Sequence, residues 1–277
     1  MATQVETCYR HTDRETRVHC TRCNRPICPD CMEPAPVGHH CPTCIAEARR
    51  SVRRVRRVRI GGVVPVLLGV NIAAFAVELL LRATTELSLI SAGAMVPALI
   101  AEGEHWRLMT SIFLHFGFLH LALNMFGLYL FGTWLEQALG SVRFAAVYLV
   151  TGFWGSVVSF TLGGPVRFAA GASGAVFGLL GAWLAYNWRR RRLSVAQGNI
   201  RIALILIVIN LVFGVVRPGI DNFAHLGGLA AGLIAGFLAE GVGRRRVRTM
   251  VTVAGLTLLA LGGVALTVVR VGQLVAA

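Results

Sequence analysis

Two sets of residues in this chain have the types and spacings that chemistry requires. The first is nucleophilic. Gly171-Ala172-Ser173-Gly174 opens an apolar run, shortly after the polar break Gly163-Gly164-Pro165-Val166-Arg167. The glycines let the chain turn tightly and let a substrate backbone approach the hydroxyl. A serine hydroxyl is a weak nucleophile until a base within hydrogen-bond reach takes its proton. One histidine lies in a later apolar segment, His225 in Ala224-His225-Leu226-Gly227-Gly228. Ser173 and His225 are therefore the candidate nucleophile and general base.

An attacked carbonyl becomes an oxyanion and needs fixed donors. His120 and Asn124, spaced i and i+4, fall on one helix face. Polar groups inside a membrane are costly and point to a task. The Asn124 amide, the His120 ring and the Ser173 backbone N–H are the candidate oxyanion hole, aided by the positive end of the helix that Ser173 begins. His115 is expected at the membrane interface. Glu78, Glu136 and Glu240 fall near the ends of apolar runs. Asp221 is expected to cap the helix carrying His225. The pattern thus reads as a Ser–His dyad, with His225 as base and then acid.

The second set binds metal. Cys8-x2-His11, Cys20-x2-Cys23, Cys28-x2-Cys31 and Cys41-x2-Cys44 give four ligand pairs. Eight ligands suffice for two tetrahedral Zn sites and leave no open coordination position for catalysis. All seven cysteines fall in the first 44 residues. A disulfide framework would require an oxidising compartment, whereas this end of the chain is expected in the cytoplasm.

The elements that must position these groups are apolar. The 277 residues are 55% hydrophobic with a mean hydropathy of +0.66, a polytopic membrane composition. The net charge is +14 and every basic residue is Arg. Those arginines cluster at 49–59, 189–192 and 244–248, between apolar runs. The positive-inside rule explains that placement without nucleic acid, so no nucleic-acid partner is expected. Residues 1–48 show no signal peptide, so the first apolar run is expected to act as an uncleaved anchor.

Seven spans are expected: Gly61–Leu81, Leu119–Leu139, Phe144–Leu162, Ser173–Trp188, Ile200–Val216, Asn222–Ala239 and Met250–Val269. Residues 82–118 form a mixed connection. Its part from Leu108 to Phe118 is expected in the interface, anchored by Trp106. The basic linker 49–59 holds the N-terminus on the cytoplasmic side. The fourth and sixth spans then run from outside to inside, which places Ser173 and His225 at similar depth near the outer face. Gly174, Gly178 and Gly181 give the fourth span a small-residue face, and Gly228, Gly232 and Gly236 do the same for the sixth. Such faces let membrane helices pack backbone to backbone.

Two resemblances follow from these motifs. Residues 1–48 resemble a B-box-type zinc finger. That resemblance implies a cross-brace, in which Cys8, His11, Cys28 and Cys31 share one Zn and Cys20, Cys23, Cys41 and Cys44 share the other. His39 or His40 is an alternative to Cys41. Residues 60–242 resemble a rhomboid-family intramembrane serine protease. The resemblance is carried by the Ser173 and His225 motifs, by His115-x4-His120-x3-Asn124, by Trp106-Arg107, and by Glu136-x3-Gly140-x2-Arg143-Phe144. It implies a six-helix catalytic core, a Ser173–His225 dyad, an oxyanion hole of His120, Asn124 and the Ser173 amide, and cleavage of membrane-anchored proteins near the outer face. It implies no catalytic cofactor. Phe177 stands where many relatives have a Tyr against the catalytic histidine.

The expected protein is thus all-α and polytopic: a zinc module, a basic linker, a six-helix core and, over 243–277, an additional C-terminal transmembrane helix. Its partners are transmembrane protein substrates, the lipid bilayer and a cytoplasmic protein for the zinc module. A bacterial plasma membrane is its expected location. A catalytically silent scaffold that binds membrane proteins is the alternative. A transporter fits less well, because a path needs polar groups spread across the bilayer.

Overall fold

A computed structural model describes residues 6–35, 37–52, 62–164, 168–240 and 245–276. Most of the basic linker, the segment Pro165-Val166-Arg167, Gly61 and Arg244 lie outside the described residues. The chain divides into two compact units, Met1–Arg59 and Ile60–Ala277.

The first unit is built from two minimal hairpins and a helix. β1 (Glu6–Thr7) pairs antiparallel with β2 (Glu15–Thr16), and β3 (Glu33–Pro34) with β4 (His39–His40). Helix α1 (Pro42–Val52) follows. Six buried cysteines and Ile27 make up the buried core, with Tyr9 and Met32 against it. One aliphatic side chain cannot supply the folding energy of a domain, so the cysteine cluster itself must.

The second unit is a helical bundle. Its elements are α2 (Val63–Thr84), α3 (Leu89–Gly93), α4 (Pro97–Ala101), α5 (Arg107–Thr110), α6 (Phe118–Leu139), α7 (Ser141–Leu162), α8 (Ser173–Trp188), α9 (Ser194–Val216), α10 (Asn222–Glu240) and α11 (Arg245–Val275). Among the described residues, six helices are long and apolar enough to cross a membrane: α2, α6, α7, α9, α10 and α11. The fourth expected span, α8, has 16 residues. At 1.5 Å per residue it is about 24 Å long, short of the roughly 30 Å hydrocarbon core. The polypeptide before Ser173 therefore descends into the bundle before the helix starts.

α7, α8 and α10 form the centre. Half of the α7 span is buried, against 17% for α9, whose Ile205, Val208, Ile209 and Val212 face outward. A water-soluble protein rarely exposes such a continuous apolar surface, and a lipid bilayer covers it. The two glycine faces meet as their spacing predicts. A Cβ on Gly228 would lie 1.9 Å from the Gly174 carbonyl oxygen, and one on Gly232 would lie 2.0 Å from that of Gly178. α11 packs along α7, where the Trp154 indole donates to the Leu259 carbonyl at 2.8 Å.

The Glu136 carboxylate joins three helices. It accepts the first backbone N–H groups of α2, from Val63 at 2.6 Å and Val64 at 3.0 Å, and the Ser141 hydroxyl at 2.6 Å. A negative group suits the positive end of a helix. Between α6 and α7 the chain reverses at Gly140, whose φ of +86° disfavours any residue with a Cβ.

The connection over residues 82–118 folds into α3, α4, α5 and a 3₁₀ turn at Ser111–Phe113, and part of its apolar side chains point inward. Leu108, Ile112 and Leu114 are buried, while Trp106 is exposed. The cause is polar anchoring. The buried Arg107 guanidinium donates to the Ser91 and Ala94 carbonyls and pairs with Glu104 at 2.6 Å. The buried Glu78 carboxylate accepts the N–H groups of Leu89 and Ile90.

Candidate functional site

Ser173 is the first residue of α8. The strand-like segment before it is held from two sides. Ala169 and Met95 exchange backbone hydrogen bonds of 2.8 and 3.1 Å, and the Gly171 N–H donates to the Ser111 carbonyl at 2.9 Å. Gly171 has φ +143°, a backbone state that side chains rarely adopt. A Cβ there would lie 2.7 Å from the His120 ring and 3.8 Å from Ser173 Oγ. Glycine at 171 thus lets the His120 ring and the Ser173 hydroxyl share one space.

His225 lies in the first turn of α10 and is buried. Its ring stacks on Phe177, one turn into α8, with centroids 4.2 Å apart. The backbone next to it also meets α8: a Cβ on Gly174 would lie 3.4 Å from the Ala224 carbonyl oxygen. Among the described residues no hydrogen-bond partner faces His225 Nδ1. Asp221 caps α10 as its position predicts. Its Oδ1 accepts the Ala224 N–H at 3.1 Å, and its Oδ2 accepts the Ser159 hydroxyl.

Asn124 is buried and its amide donates to the His120 carbonyl at 2.9 Å. That bond uses one of its two amide hydrogens. His115 is packed inside the protein. It is 2% exposed, its ring meets that of His120 edge-on at 5.1 Å, and its Nε2 accepts the Ala172 N–H at 3.4 Å. An accepting Nε2 carries no proton, so this imidazole is neutral. No catalytic role is expected for His115 from its position in the sequence. Its spacing of five from His120 was the available signal, but the contact to Ala172 spans 57 positions.

A small cavity of mixed character adjoins Ser173. Its lining includes Ser156, Ser159 and Asp221 together with Met95 and Ile112. Ser156 and Ser111 are hydrogen-bonded at 3.3 Å in its wall.

The sequence from residue 102 to residue 241 matches the Rhomboid domain, and this stretch contains all of these groups apart from Met95. The chain belongs to the rhomboid family. It is 43% identical over 163 residues to the rhomboid protease GluP of Bacillus subtilis, covering 58% of this chain and 31% of that protein. It is 43% identical over 150 residues to RHOMBOID-like protein 5 of Arabidopsis thaliana, covering 53% of this chain and 48% of the relative. Over 147 residues it is 35% identical to YdcA of Bacillus subtilis, covering 53% of this chain and 73% of the relative. The chain thus spans from a third to half the length of the first two curated relatives. Membership makes this a multi-pass integral membrane protein, and the site above lies within its rhomboid core.

The first unit carries two further clusters. Cys8, His11, Cys28 and Cys31 form one, and Cys20, Cys23, Cys41 and Cys44 the other, with the ligand atoms of each within 4.8 Å of one another. His11 Nδ1 lies 3.2, 3.4 and 3.9 Å from the sulfurs of Cys28, Cys31 and Cys8. Cys23 and Cys41 sulfurs are 3.7 Å apart. Tetrahedral zinc with bonds near 2.3 Å sets its sulfurs about 3.8 Å apart, whereas a disulfide needs about 2.05 Å. Backbone amides turn onto the sulfurs, with Cys41 N–H on Cys20 and Cys44 N–H on Cys41. Both donor sets fit a metal ion. His39 and His40 lie in β4 and belong to neither cluster.

Proposed function

We propose that this rhomboid is an active intramembrane serine endopeptidase that cleaves membrane-anchored proteins near the outer membrane face. Ser173 Oγ attacks the scissile carbonyl while His225 takes its proton. The developing oxyanion is received by the Ser173 N–H, the Asn124 amide and the His120 ring. The amide C–N bond then breaks, and His225 returns the proton to the leaving amine. Water hydrolyses the resulting acyl-serine with His225 again as base. The glycine contact of α8 with α10 carries this reading, because it brings the helices bearing Ser173 and His225 together at their first turns.

The first unit is read as a B-box-like module holding two structural zinc ions, one in each cluster, on the cytoplasmic side of a bacterial plasma membrane. Zinc would tie the hairpins together where apolar burial is insufficient. Its binding partner would be a cytoplasmic protein. Residues 49–59 link this module to the core, and 243–277 add a helix beyond it.

The test is cleavage of a single-span reporter in proteoliposomes by wild type, Ser173→Ala and His225→Ala. Loss in both variants supports the dyad. A fluorophosphonate reports on Ser173 independently. Wild type that neither cleaves nor labels would instead be a membrane-protein-binding scaffold, the reading left by an inert site.

A further inference from the structure

The second cysteine cluster has an open side that the first lacks. Cys8, Cys28 and Cys31 are each 1% exposed or less, and Cys20, Cys41 and Cys44 are 4% exposed or less. Among the described residues, Cys23 is the one exposed cysteine. It sits in a tight turn from Cys20 to Asn24, closed by the Asn24 N–H on the Cys20 carbonyl at 2.8 Å. Arg22 and Arg25 flank it in the chain, and the Arg22 guanidinium donates to the Cys44 carbonyl at 3.3 Å. A cysteine that is exposed and beside cationic groups is open to oxidants, whereas buried structural cysteines are inert.

Its neighbour can complete a disulfide. Cys41 Sγ lies 3.7 Å from Cys23 Sγ. A disulfide needs about 2.05 Å, so a small closure of the turn joins the two sulfurs. Cys41 is held for that closure by its own N–H on Cys20 Sγ and by the Cys44 N–H on its sulfur. In the first cluster the least buried ligand is His11, and an imidazole forms no disulfide.

We propose that Cys23 is a site of reversible oxidation by peroxides, and that its disulfide with Cys41 empties the second metal site while the first stays filled. This rests on the reading of both clusters as zinc sites. A coordinating metal keeps the Cys23 thiol deprotonated. The Cys23 thiolate attacks one peroxide oxygen, an S–O bond forms, the O–O bond breaks and hydroxide leaves. The Cys41 thiolate then attacks the Cys23 sulfur, the S–S bond forms, the S–O bond breaks and a second hydroxide leaves. Two thiolates, one hydrogen peroxide and two protons thus give one disulfide and two waters. The sulfurs lose two electrons and the peroxide gains them. Cys20 and Cys44 remain, two ligands where a structural site needs four.

The test uses full-length protein whose zinc content has been measured by elemental analysis. Hydrogen peroxide would be added, with released metal read by a colorimetric chelator and disulfides mapped by mass spectrometry. One zinc per chain should leave about tenfold faster than the other, together with a Cys23–Cys41 disulfide. A dithiol reductant with added zinc should then restore both ions. Cys23→His gives the second cluster three cysteines and one histidine, the ligand set that the first cluster already has. This variant should hold two ions and lose the fast phase. Should it hold a single ion, brief alkylation of wild type by N-ethylmaleimide decides instead. Cys23 should then be labelled ahead of every other cysteine, and earlier labelling elsewhere overturns the proposal. Release of both ions at one rate or of neither overturns it too, as does a first disulfide other than Cys23–Cys41 or a fast phase that persists in Cys23→His. These outcomes leave the zinc reading standing. Wild type that holds no zinc overturns that reading, and this proposal with it.

Discussion

The Phe177 ring stacks on the His225 imidazole, 4° from parallel, with centroids 4.2 Å apart. Phe177 projects from α8, four residues after Ser173, and His225 from α10. The stack therefore couples the rotamer of the candidate base to the helix carrying the candidate nucleophile. Such ring pairs contribute about 0.5–1.5 kcal/mol beyond area burial. Phe177→Leu keeps most of the volume and loses the ring face. It should lower kcat roughly two- to tenfold with little change in thermal stability. Phe177→Tyr should retain the stack and most of the activity, as reporter cleavage kinetics would show.

The glycines differ sharply in what they tolerate. A Cβ at Gly232 would lie 2.0 Å from the Gly178 carbonyl oxygen, whereas at Gly198 it meets nothing within 4 Å. Gly232→Ala must push α8 and α10 apart, and overpacking of this kind costs about 1–3 kcal/mol. Gly198→Ala should be neutral or stabilise α9 by about 0.5–1 kcal/mol through helix propensity. Thermal unfolding in detergent should show Gly232→Ala falling and Gly198→Ala holding or rising.

The same contrast shows what was legible in the sequence. Long apolar runs and glycines spaced by four fix the helices and their contact faces, because both signals repeat along the chain. The ends of those runs were less legible: α9 starts at Ser194 and α11 extends to Val275, since polar residues continue a helix beyond its apolar stretch. α3, α4 and α5 have four or five residues each, too few for a period to register. α3 is held by Glu78 and Arg107 through contacts that span 10–16 positions. The packing of His115 was hidden for a related reason. Its contact with the Ala172 N–H spans 57 positions, which no local spacing reveals. α8 has the bounds expected from its apolar run, Ser173–Trp188.

Glu136 supplies a third test. Removing it strands the Val63 and Val64 N–H groups at the start of α2, and an unsatisfied buried donor costs about 1–3 kcal/mol. Glu136→Ala should therefore destabilise the bundle clearly. Glu136→Gln keeps one acceptor oxygen but loses the charge-assisted component, so its loss should be smaller. The order wild type, Gln, Ala in unfolding temperature is the expected outcome. Equal losses for Gln and Ala would mean that the charge, rather than the number of acceptors, holds α2 in place.

The two cysteine clusters make separable predictions about metal. Full-length protein should contain two zinc ions per chain by elemental analysis. Cys28→Ser disrupts the cluster of Cys8, His11 and Cys31 and should remove one ion. Cys41→Ser should likewise remove one from the other cluster. His39→Ala and His40→Ala should leave both ions, because neither ring belongs to a cluster. Zinc requires deprotonated ligands, so acidification should release the metal as protons compete for the thiolates. A strong chelator should unfold the first unit, seen as faster backbone hydrogen exchange over residues 6–44. Exchange in α7, α8 and α10 should stay protected, since those helices are held by their own glycine contacts and buried side chains. Retention of two ions by Cys41→Ser together with loss of one in His40→Ala would reassign the eighth ligand.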